Sequence, residues 1–552
     1  MRKKGHKYIF VIGGVMSGVG KGVATASIGK ILQAKGFRVN PIKIDPYLNV
    51  DAGNMNPTEH GEVFVLDSGL ETDQDMGNYE RFMDLKLKPE DYITSGMVYR
   101  HVIDKERSLG FRGKCVEAIP HITGEITRRV EKAASTNGSD ISLIEIGGTV
   151  GDYQNIMFIE AARVLRLKNP HDVIFILVSF LPIPSKIGEM KTRPTQTAVR
   201  MLNSYGVQPD IIIARSEVSL DKKRKEKIAI SCNVSEDHVI SAPDIESIYD
   251  VPLNFEKDNL GNIILESLSL KGRSSRNGLA PWKKFVARTK KTKKTLKIAI
   301  AGKYFDTGDF VLSDAYISVI EAIKFSTYSE LVSPEIVWLN TKNFEKDSSR
   351  LKELKEYDGI IVPGGFGETG VEGKINIIRF VRENKIPFLG LCYGMQLALV
   401  EFARNVLKLK DAHTTEINPQ TPHPVIDIMP EQKKILEEEN YGATMRLGVY
   451  PALLKPGTLT FEAYGKKEIT ERHRHRYEVN PDYIEKFSSG GLTFSGVSPD
   501  NRLMEIAELP KEIHPFFLGT QFHPEFQARP LRPHPLFTAF IKAAKARRNK
   551  KK

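Results

Sequence analysis

A glycine-rich turn near the amino terminus has the composition of a phosphate-binding loop. Residues 13–22 read Gly-Gly-Val-Met-Ser-Gly-Val-Gly-Lys-Gly, after the apolar segment 8–12 and before a segment of helical pattern. Glycines in such a turn allow backbone N–H groups to converge on an anion, while Lys21 and the following helix terminus add positive charge. The pattern predicts a strand, a turn that binds nucleotide phosphate and a helix; the alternative is an ordinary tight turn between a strand and a helix.

A magnesium ion would need ligands outside this turn. Compared with the standard P-loop pattern, Val15 replaces the first glycine, and Gly22 replaces the Ser or Thr that would bind Mg²⁺. Mg²⁺ prefers hard oxygen ligands, and ligands of open α/β sheets lie at the carboxyl ends of the strands. Asp75, in an acidic run, and Glu145, at the end of the predicted strand 141–146, are therefore candidates. The alternatives are a solvated acidic loop and a capped strand end.

A second cluster of cationic residues predicts a second anion site. Residues 191–196 read Lys-Thr-Arg-Pro-Thr-Gln, and Pro194 suits the first turn of a helix. Lys191, Thr192 and Arg193 would then cluster at the positive end of that helix. Lys43 and Lys227 are further possible partners of phosphate. Two such sites indicate two polyanionic substrates.

A cysteine in the carboxyl-terminal half has the spacing of a catalytic nucleophile. Gly390, Cys392 and Gly394 fit a Gly-x-nucleophile-x-Gly turn between a strand and a helix, which exposes the sulfur at a helix terminus that favours the thiolate. His523 and Glu525 lie two apart in an extended segment and therefore share a face. These residues predict a Cys-His-Glu triad, whereas the alternative is a buried cysteine used only for packing.

The composition is that of an ordinary globular protein of more than one domain. The chain has 552 residues, of which 41% are hydrophobic and 27% charged. Its three cysteines, Cys115, Cys232 and Cys392, have no metal-ligand spacing and fit a reducing compartment. The longest apolar run, 173–181, is too short to span a bilayer, and the first residues lead directly into a predicted strand. We therefore expect a cytoplasmic protein without membrane association.

The positive net charge is concentrated in two segments. The formal net charge of the chain is +12. Residues 271–295 contain ten Lys or Arg and residues 542–552 contain seven, and neither segment contains an acidic residue. The two segments together carry more positive charge than the whole chain, so the rest of the chain is mildly acidic. Such runs are usually solvated, and nonspecific contact with a polyanion is the minor alternative. We expect no specific binding of nucleic acid.

Short apolar runs alternate with helical patterns along both halves of the chain. This alternation predicts an α/β fold with two doubly wound parallel-sheet domains. The predicted divisions are a first domain at 1–270, a basic linker at 271–296, a second domain at 297–541 and a basic tail at 542–552.

The first domain resembles the synthetase domain of the CTP synthase family. The similarity is carried by residues 17–22, 43–51, 60–65, 145–152 and 191–196. It implies that ATP with Mg²⁺ phosphorylates the uracil 4-oxygen of UTP and that ammonia then displaces phosphate to give CTP. Mg²⁺ would be the cofactor, without an organic cofactor, and phosphoryl transfer needs positioning and charge neutralisation above all.

The resemblance also implies the residues of the nucleotide sites. ATP would contact Gly18, Val19, Gly20, Lys21, Gly22, Lys43 and Asp75. Mg²⁺ would be held by Asp75 and Glu145. UTP or CTP would contact Ser17, Asp152, Tyr153, Gln154, Lys191, Thr192, Arg193, Pro194, Thr195, Gln196 and Lys227. In one departure, Gln154 stands where the family usually has a glutamate.

The second domain resembles a class I glutamine amidotransferase from residue 297 almost to the tail. The resemblance implies that backbone amides of 362–367 form an oxyanion hole, with Gly365 near the substrate. Glutamine would be bound by Tyr393, Gly394, Met395, Gln396, Glu416 and Arg476. The histidines of the run 472–476 lack further candidate metal ligands and are interpreted as structural or tunnel-facing.

Two other functions compete with the leading hypothesis. One is a different ATP-dependent glutamine-hydrolysing ligase, of the cobyrinate-amidating type, and the other is a P-loop ATPase that positions cargo. The Cys392 turn with His523 and Glu525 disfavours the ATPase, and residues 43–51 and 191–196 favour a uracil nucleotide over a corrin acid. The family further implies activation by GTP, feedback inhibition by CTP and a homotetramer.

Overall fold

The computed structural model describes residues 5–186, 188–273, 277–292, 294–302, 313–365, 367–429, 432, 442 and 444–551. The chain forms two compact units. One comprises Met1–Asp51 and Asn78–Val286, and the other comprises Ala52–Gly77 and Ala287–Lys552. The second unit thus includes a short segment, 52–77, that the contiguous division predicted from composition assigned to the first domain.

The strands, in chain order, are β1 (Lys7–Gly13), β2 (Val39–Asp45), β3 (Phe64–Val65), β4 (Glu71–Thr72), β5 (Tyr92–Thr94), β6 (Ile141–Ile146), β7 (Val173–Phe180), β8 (Ile211–Ser216), β9 (Val239–Pro243), β10 (Thr295–Gly302), β11 (Ser333–Asn340), β12 (Gly359–Val362), β13 (Phe388–Leu391), β14 (His413–Thr414), β15 (Pro424–Ile428), β16 (Arg446–Leu454), β17 (Glu468–His475), β18 (Tyr477–Val479), β19 (Thr493–Val497), β20 (Met504–Glu508) and β21 (Phe517–Thr520).

The α-helices of the described chain are Lys21–Ala34, Pro57–His60, Gln74–Met83, Ser95–Arg107, Thr123–Thr136, Ile156–Lys168, Arg193–Ser204, Lys222–Cys232, Val251–Phe255, Leu260–Ser267, Ala280–Lys291, Ile317–Ser329, Asn343–Lys346, Val371–Glu383, Tyr393–Asn405, Leu459–Tyr464, Ile484–Ser489 and Pro535–Lys550. None of these helices is long and apolar enough to cross a membrane.

The first unit is built on a parallel sheet in the order β5-β2-β6-β1-β7-β8-β9. β1 and β6 are buried along their whole length, as expected for parallel strands that are covered by helices on both faces. The chain leaves β1 in the middle of this sheet, so the glycine-rich turn lies at the carboxyl edge where ligands bind in such folds. The predicted α/β architecture is confirmed.

The second unit contains a larger, mixed sheet in the order β11-β10-β12-β13-β21-β20-β19-β16-β17. The strands from β11 to β21 are parallel, which confirms the predicted doubly wound part. The remaining strands, from β20 to β17, extend the sheet with antiparallel pairs that the sequence pattern did not predict. β13 and β21 are neighbours, and each leads directly into a predicted catalytic segment.

Both basic segments are more structured than their composition predicted. The expected linker contains the helix Ala280–Lys291, in which Trp282 is buried and donates a hydrogen bond from Nε1 to the Tyr249 carbonyl at 2.8 Å. The expected tail continues the helix Pro535–Lys550, and Lys551 pairs with the buried Asp358 at 3.3 Å. The described Lys and Arg side chains of 271–295 are exposed, as expected of a solvated charge run, but the buried apolar face of the helix was not predicted. Residues 274–276, 293 and 552 lie outside the described residues.

Candidate active sites

The glycine-rich turn has the local geometry predicted for it. Gly18 and Gly20 have φ angles of 70° and 86°, in the left-handed region that favours glycine, and the helix Lys21–Ala34 begins directly afterwards. Lys21 Nζ donates a hydrogen bond to the Gly148 carbonyl at 2.7 Å. The turn therefore presents a helix amino terminus and a lysine at the same edge of the sheet.

Loops that follow neighbouring strands meet at this edge. The Val150 N–H donates to the Gly13 carbonyl at 2.8 Å, and the Gly14 N–H donates to the Val178 carbonyl at 2.9 Å. In the loop after β6, Asp152 Oδ2 accepts hydrogen bonds from Thr149 N at 2.6 Å and Thr149 Oγ1 at 2.8 Å. The structure thus brings the glycine-rich turn and the loop of the predicted uracil-nucleotide site together.

The helix that follows residues 191–192 begins at Arg193 with Pro194 in its first turn, as predicted. Its buried polar side chains bind protein groups: Thr195 Oγ1 lies 2.7 Å from Ser179 Oγ, and Gln196 Nε2 donates to Thr192 Oγ1 at 3.1 Å.

The remaining nucleotide-site candidates of this unit lie on its surface. Lys191 is partly exposed and pairs with Glu189 at 2.6 Å. The exposed side chains are Ser17, Tyr153, Gln154, Arg193 and Lys227.

Lys43 and Glu145 form a buried ion pair that the sequence did not predict. Lys43 Nζ lies 2.9 Å from Glu145 Oε1 and 3.7 Å from Asp45 Oδ1, and the Tyr79 hydroxyl also donates to Glu145. Lys43 and Glu145 both lie near the carboxyl ends of their strands, β2 and β6, and Glu145 carries carboxylate oxygens of the type that Mg²⁺ prefers.

The other predicted ligand of Mg²⁺, Asp75, belongs to the second unit, where its N–H donates to Asp73 Oδ1 at 2.8 Å. Across the described residues, no three His, Cys, Asp or Glu side chains are grouped as metal ligands.

The sequence did not predict a cavity that lies beside the glycine-rich turn. It has a volume of about 180 Å³, is mostly apolar, and is lined in part by Gly20, Ile213, Arg215 and Asp244. Arg215 Nη2 pairs with Asp244 Oδ1 at 2.5 Å. The position of Arg215 at the end of the apolar run of β8 was a usable signal, because carboxyl ends of parallel strands carry ligand contacts.

The second unit holds Cys392 in a strained turn between β13 and the helix Tyr393–Asn405. Its φ of 49° and ψ of −101° are rare for a residue with a side chain, and its N–H donates to the Thr520 carbonyl at 2.6 Å. A Cβ at Gly394 would lie 2.1 Å from the Val362 carbonyl oxygen, so only glycine fits there. This geometry is that of the predicted nucleophile turn.

His523 and Glu525 follow β21 and line the same cavity as Cys392. His523 Nδ1 lies 2.7 Å from Glu525 Oε1, and within the described chain His523 Nε2 has no hydrogen-bond partner. Burial alone would lower the pKa of His523, yet the charges of Glu525 and Cys392 raise it to about 10. The imidazole is therefore protonated at neutral pH and can act as an acid.

The cavity in front of Cys392 is small and bordered by the predicted oxyanion loop. It has a volume of about 70 Å³, and Gly364 and Gly365 line it. A Cβ at Gly364 would lie 2.8 Å from His523 Cε1, which explains why glycine stands there. Phe366, in the middle of the predicted loop, lies outside the described residues.

The predicted glutamine-binding residues differ in what their side chains contact. Glu416 accepts a hydrogen bond from the Gly367 N–H at 3.0 Å, and Arg476 donates to Gln432 at 2.8 Å. Burial raises the pKa of Tyr393, which therefore keeps its hydroxyl proton. Met395 is fully buried in the core.

Two arginines of β17 form ion pairs with the segment 52–77 of the second unit. The sequence did not predict these arginines as site residues. Arg472 Nε pairs with Asp67 at 2.6 Å, and Arg474 Nε pairs with Glu71 at 2.7 Å. Arg474 also lines the cavity at Cys392. The alternation of Arg and His in residues 472–476 could have indicated that these arginines lie together, because alternate residues of a strand lie on the same face.

Two family models match the chain. The model described as CTP synthase N-terminus matches residues 7–270, and the model described as Glutamine amidotransferase class-I matches residues 311–543. Together they cover the glycine-rich turn, the Cys392 turn and the His523 segment.

Curated relatives and a solved structure are similar to the chain. A CTP synthase of Pyrococcus abyssi is 50% identical over 547 residues, covering 99% of both chains, and one of Methanocaldococcus jannaschii is 48% identical over 544 residues, covering 98% of both. A solved Trypanosoma brucei CTPS glutaminase domain with bound acivicin is 35% identical, with a TM-score of 0.42, and covers 46% of this chain and 94% of its own. Because these curated relatives are named CTP synthase, they do not favour the alternative of a ligase of the cobyrinate-amidating type. Because the identity to curated relatives extends over nearly the whole length, the chain belongs to the CTP synthase family, the glutamine-hydrolysing ligases that aminate UTP to CTP.

Proposed function

We propose that Cys392, His523 and Glu525 release the ammonia that this reaction consumes. The Cys392 thiolate attacks the amide carbon of glutamine, and the His523 imidazolium gives its proton to the nitrogen as the C–N bond breaks. Water then cleaves the thioester, which yields glutamate and restores the thiol. The observation that carries this assignment is the common cavity of the three residues together with the 2.7 Å contact between His523 and Glu525.

The surrounding residues would bind and polarise glutamine. Backbone N–H groups of the loop that includes Gly365 would stabilise the oxyanion. Glu416 and Arg476 would hold the polar end of the substrate, and the chain from Tyr393 to Gln396 would complete the pocket. The contacts of Glu416 with the Gly367 N–H and of Arg476 with Gln432 support this role, because they hold both charged groups in defined orientations.

ATP would bind at the glycine-rich turn of the first unit. Gly18 to Gly22 would surround the phosphates, Lys21 and Lys43 would neutralise their charge, and the cavity at Arg215 would accept the base. Asp75 and Glu145 would hold the Mg²⁺ ion. When bound, Mg²⁺ would neutralise charge on the transferring phosphoryl group.

UTP, or CTP as feedback inhibitor, would bind beside the ATP site. Ser17, Asp152 to Gln154 and Lys227 would contact it, together with Lys191 to Gln196 at the amino terminus of a helix. The hydrogen bonds between the loop after β6 and the glycine-rich turn support this proximity. The UTP 4-oxygen would take the phosphoryl group, and ammonia would then replace it.

The domain boundaries and the biological setting complete this proposal. The proposed division is a synthetase domain at 1–270 and an amidotransferase domain at 297–541. The matching family models, which cover 7–270 and 311–543, support it. We further propose a cytoplasmic homotetramer that is activated by GTP.

The assignment of the nucleophile is tested by the nitrogen source. Cys392→Ala should abolish CTP formation from glutamine but keep CTP formation from ammonium at alkaline pH, measured by absorbance with ATP and UTP. Cys232→Ala is the matched control: Cys232 is also buried, but burial raises its pKa to about 11, so it is a thiol at neutral pH. Loss of both reactions in a folded Cys392→Ala protein, or loss of the glutamine reaction in the control, would contradict the assignment.

A further inference from the structure

Two protein groups with opposite preferences contact the sulfur of Cys392. The Cys392 S–H donates to the Arg474 carbonyl at 3.7 Å, and the side-chain amide Nε2 of Gln521 donates to the same sulfur at 3.7 Å. Gln521 is fully buried, directly after β21 and two residues before His523. Its backbone N–H is held by the Glu505 carbonyl at 2.8 Å.

The orientation of the Gln521 amide follows from its neighbours. Gln396 Nε2 donates to the Tyr477 carbonyl at 3.0 Å, and because a carbonyl only accepts, the nitrogen of Gln396 must lie on this side. The same nitrogen lies 3.3 Å from Gln521 Oε1, which must then be the accepting oxygen of that amide. The opposite end of the Gln521 amide, its N–H₂ group, therefore faces the sulfur.

The two contacts act differently on the two states of the sulfur. The Arg474 carbonyl accepts a hydrogen bond from the thiol, but it turns the negative end of its dipole toward a thiolate. Gln521 can only donate toward the sulfur, and a hydrogen bond to a charged acceptor is stronger than one to a neutral acceptor. Gln521 therefore favours the reactive thiolate and offsets the opposing carbonyl.

We propose that Gln521 is a catalytic residue of the glutaminase, which donates an N–H to the Cys392 thiolate, and that Gln396 is the positioning residue that keeps the Gln521 amide in the donating orientation. This inference rests on the proposed role of Cys392 as the nucleophile. It assigns to the side chain of Gln396 a second function, in addition to its proposed place in the glutamine pocket.

The test is the pH dependence of alkylation of Cys392 by iodoacetamide in the full chain. The protein carries Cys115→Ser, because Cys115 is exposed and would react as well. Gln521→Glu should move the midpoint of the profile upward by about one pH unit or more, since a charge-assisted hydrogen bond lost next to a thiolate is on the order of a tenfold effect. Gln521→Met should cause a smaller upward shift, and Gln396→Met should shift the midpoint in the same direction.

A matched control separates this effect from general damage. Gln527 lies in the same segment, and its Nε2 donates to the Thr470 carbonyl at 2.8 Å rather than to sulfur. Gln527→Glu should leave the midpoint of alkylation unchanged, and urea unfolding of each variant checks that it is folded.

The outcomes distinguish the inference from the function on which it rests. If Cys392 of the parent protein reacts no faster than an ordinary thiol, the proposed nucleophile itself is wrong. If Cys392 reacts fast but the profiles of the folded Gln521 variants superimpose on that of the parent, the role of Gln521 is overturned. An equal shift in Gln527→Glu would also overturn it, because the effect would then not depend on contact with the sulfur.

Discussion

Replacing Glu525 by glutamine tests how the catalytic histidine is kept charged. Glu525 is buried and lies 2.7 Å from His523 Nδ1. The substitution keeps the shape of the side chain but removes the negative charge that, together with Cys392, raises the pKa of His523 against the effect of burial. We expect the pKa of His523 to fall in Glu525→Gln.

The size of the effect can be estimated from the pKa of His523. The interval between 6.5 and about 10 corresponds to about 5 kcal/mol of preference for the imidazolium. If the two negative groups share this preference about equally, removing one costs about 2.5 kcal/mol, or roughly 70-fold in the equilibrium between imidazolium and imidazole. Glutamine hydrolysis should therefore slow by on the order of 10- to 100-fold.

The pH profile provides the sharper measurement. Because His523 must be protonated to donate to the leaving nitrogen, the alkaline limb of kcat for glutamate release should move to lower pH in Glu525→Gln. The matched control is Glu471→Gln, since Glu471 is also buried and accepts a hydrogen bond from a histidine, His534, at 3.0 Å. An alkaline limb that stays in place in Glu525→Gln, or moves equally in Glu471→Gln, would refute the reasoning.

Four further substitutions test other parts of the molecule. Asp75→Asn and Glu145→Gln should each strongly reduce the rate of CTP formation from ammonium as well as from glutamine, because Mg²⁺ neutralises charge on the transferring phosphoryl group. A wild-type rate with ammonium would show that the substituted residue is not a ligand of Mg²⁺. Trp282→Ala should lower the free energy of unfolding in urea by about 3–5 kcal/mol, whereas a solvated linker residue would change it by less than about 0.5 kcal/mol. Gln154→Glu should tighten inhibition by CTP by on the order of tenfold at fixed UTP, since a carboxylate can accept a charge-assisted hydrogen bond from the cytosine amine; superimposable inhibition curves would count against this idea.

Features that depend on neighbouring residues could be predicted from the sequence. The turn before Lys21, the turn around Cys392 and the start of a helix at Arg193 all have the predicted local structure. Each depends on glycine, proline or strand-to-helix geometry within a few residues. His523 and Glu525 do lie 2.7 Å apart, but the predicted extended segment is wrong, because Glu525 belongs to the 3-10 helix Pro524–Gln527.

Features that join distant parts of the chain could not be predicted in this way. The pair of Lys43 and Glu145 joins adjacent strands whose order in the sheet has no local signal. The ion pairs of Arg472 and Arg474 with residues 67 and 71 span about four hundred positions. The helix around Trp282 was hidden by its basic composition, because burial of one indole against Tyr249 outweighs the surrounding charges.

The central claim is that nitrogen passes from glutamine through Cys392 to CTP, and isotope transfer tests it most directly. The full-length protein is given UTP, ATP, Mg²⁺, glutamine labelled with ¹⁵N at the amide, and unlabelled ammonium at alkaline pH, and the CTP is analysed by mass spectrometry. The account predicts ¹⁵N in the exocyclic amine of CTP made by the wild type, and only unlabelled CTP from Cys392→Ala. Labelled CTP from folded Cys392→Ala, or unlabelled CTP from the wild type when glutamine is the only nitrogen source, would contradict it.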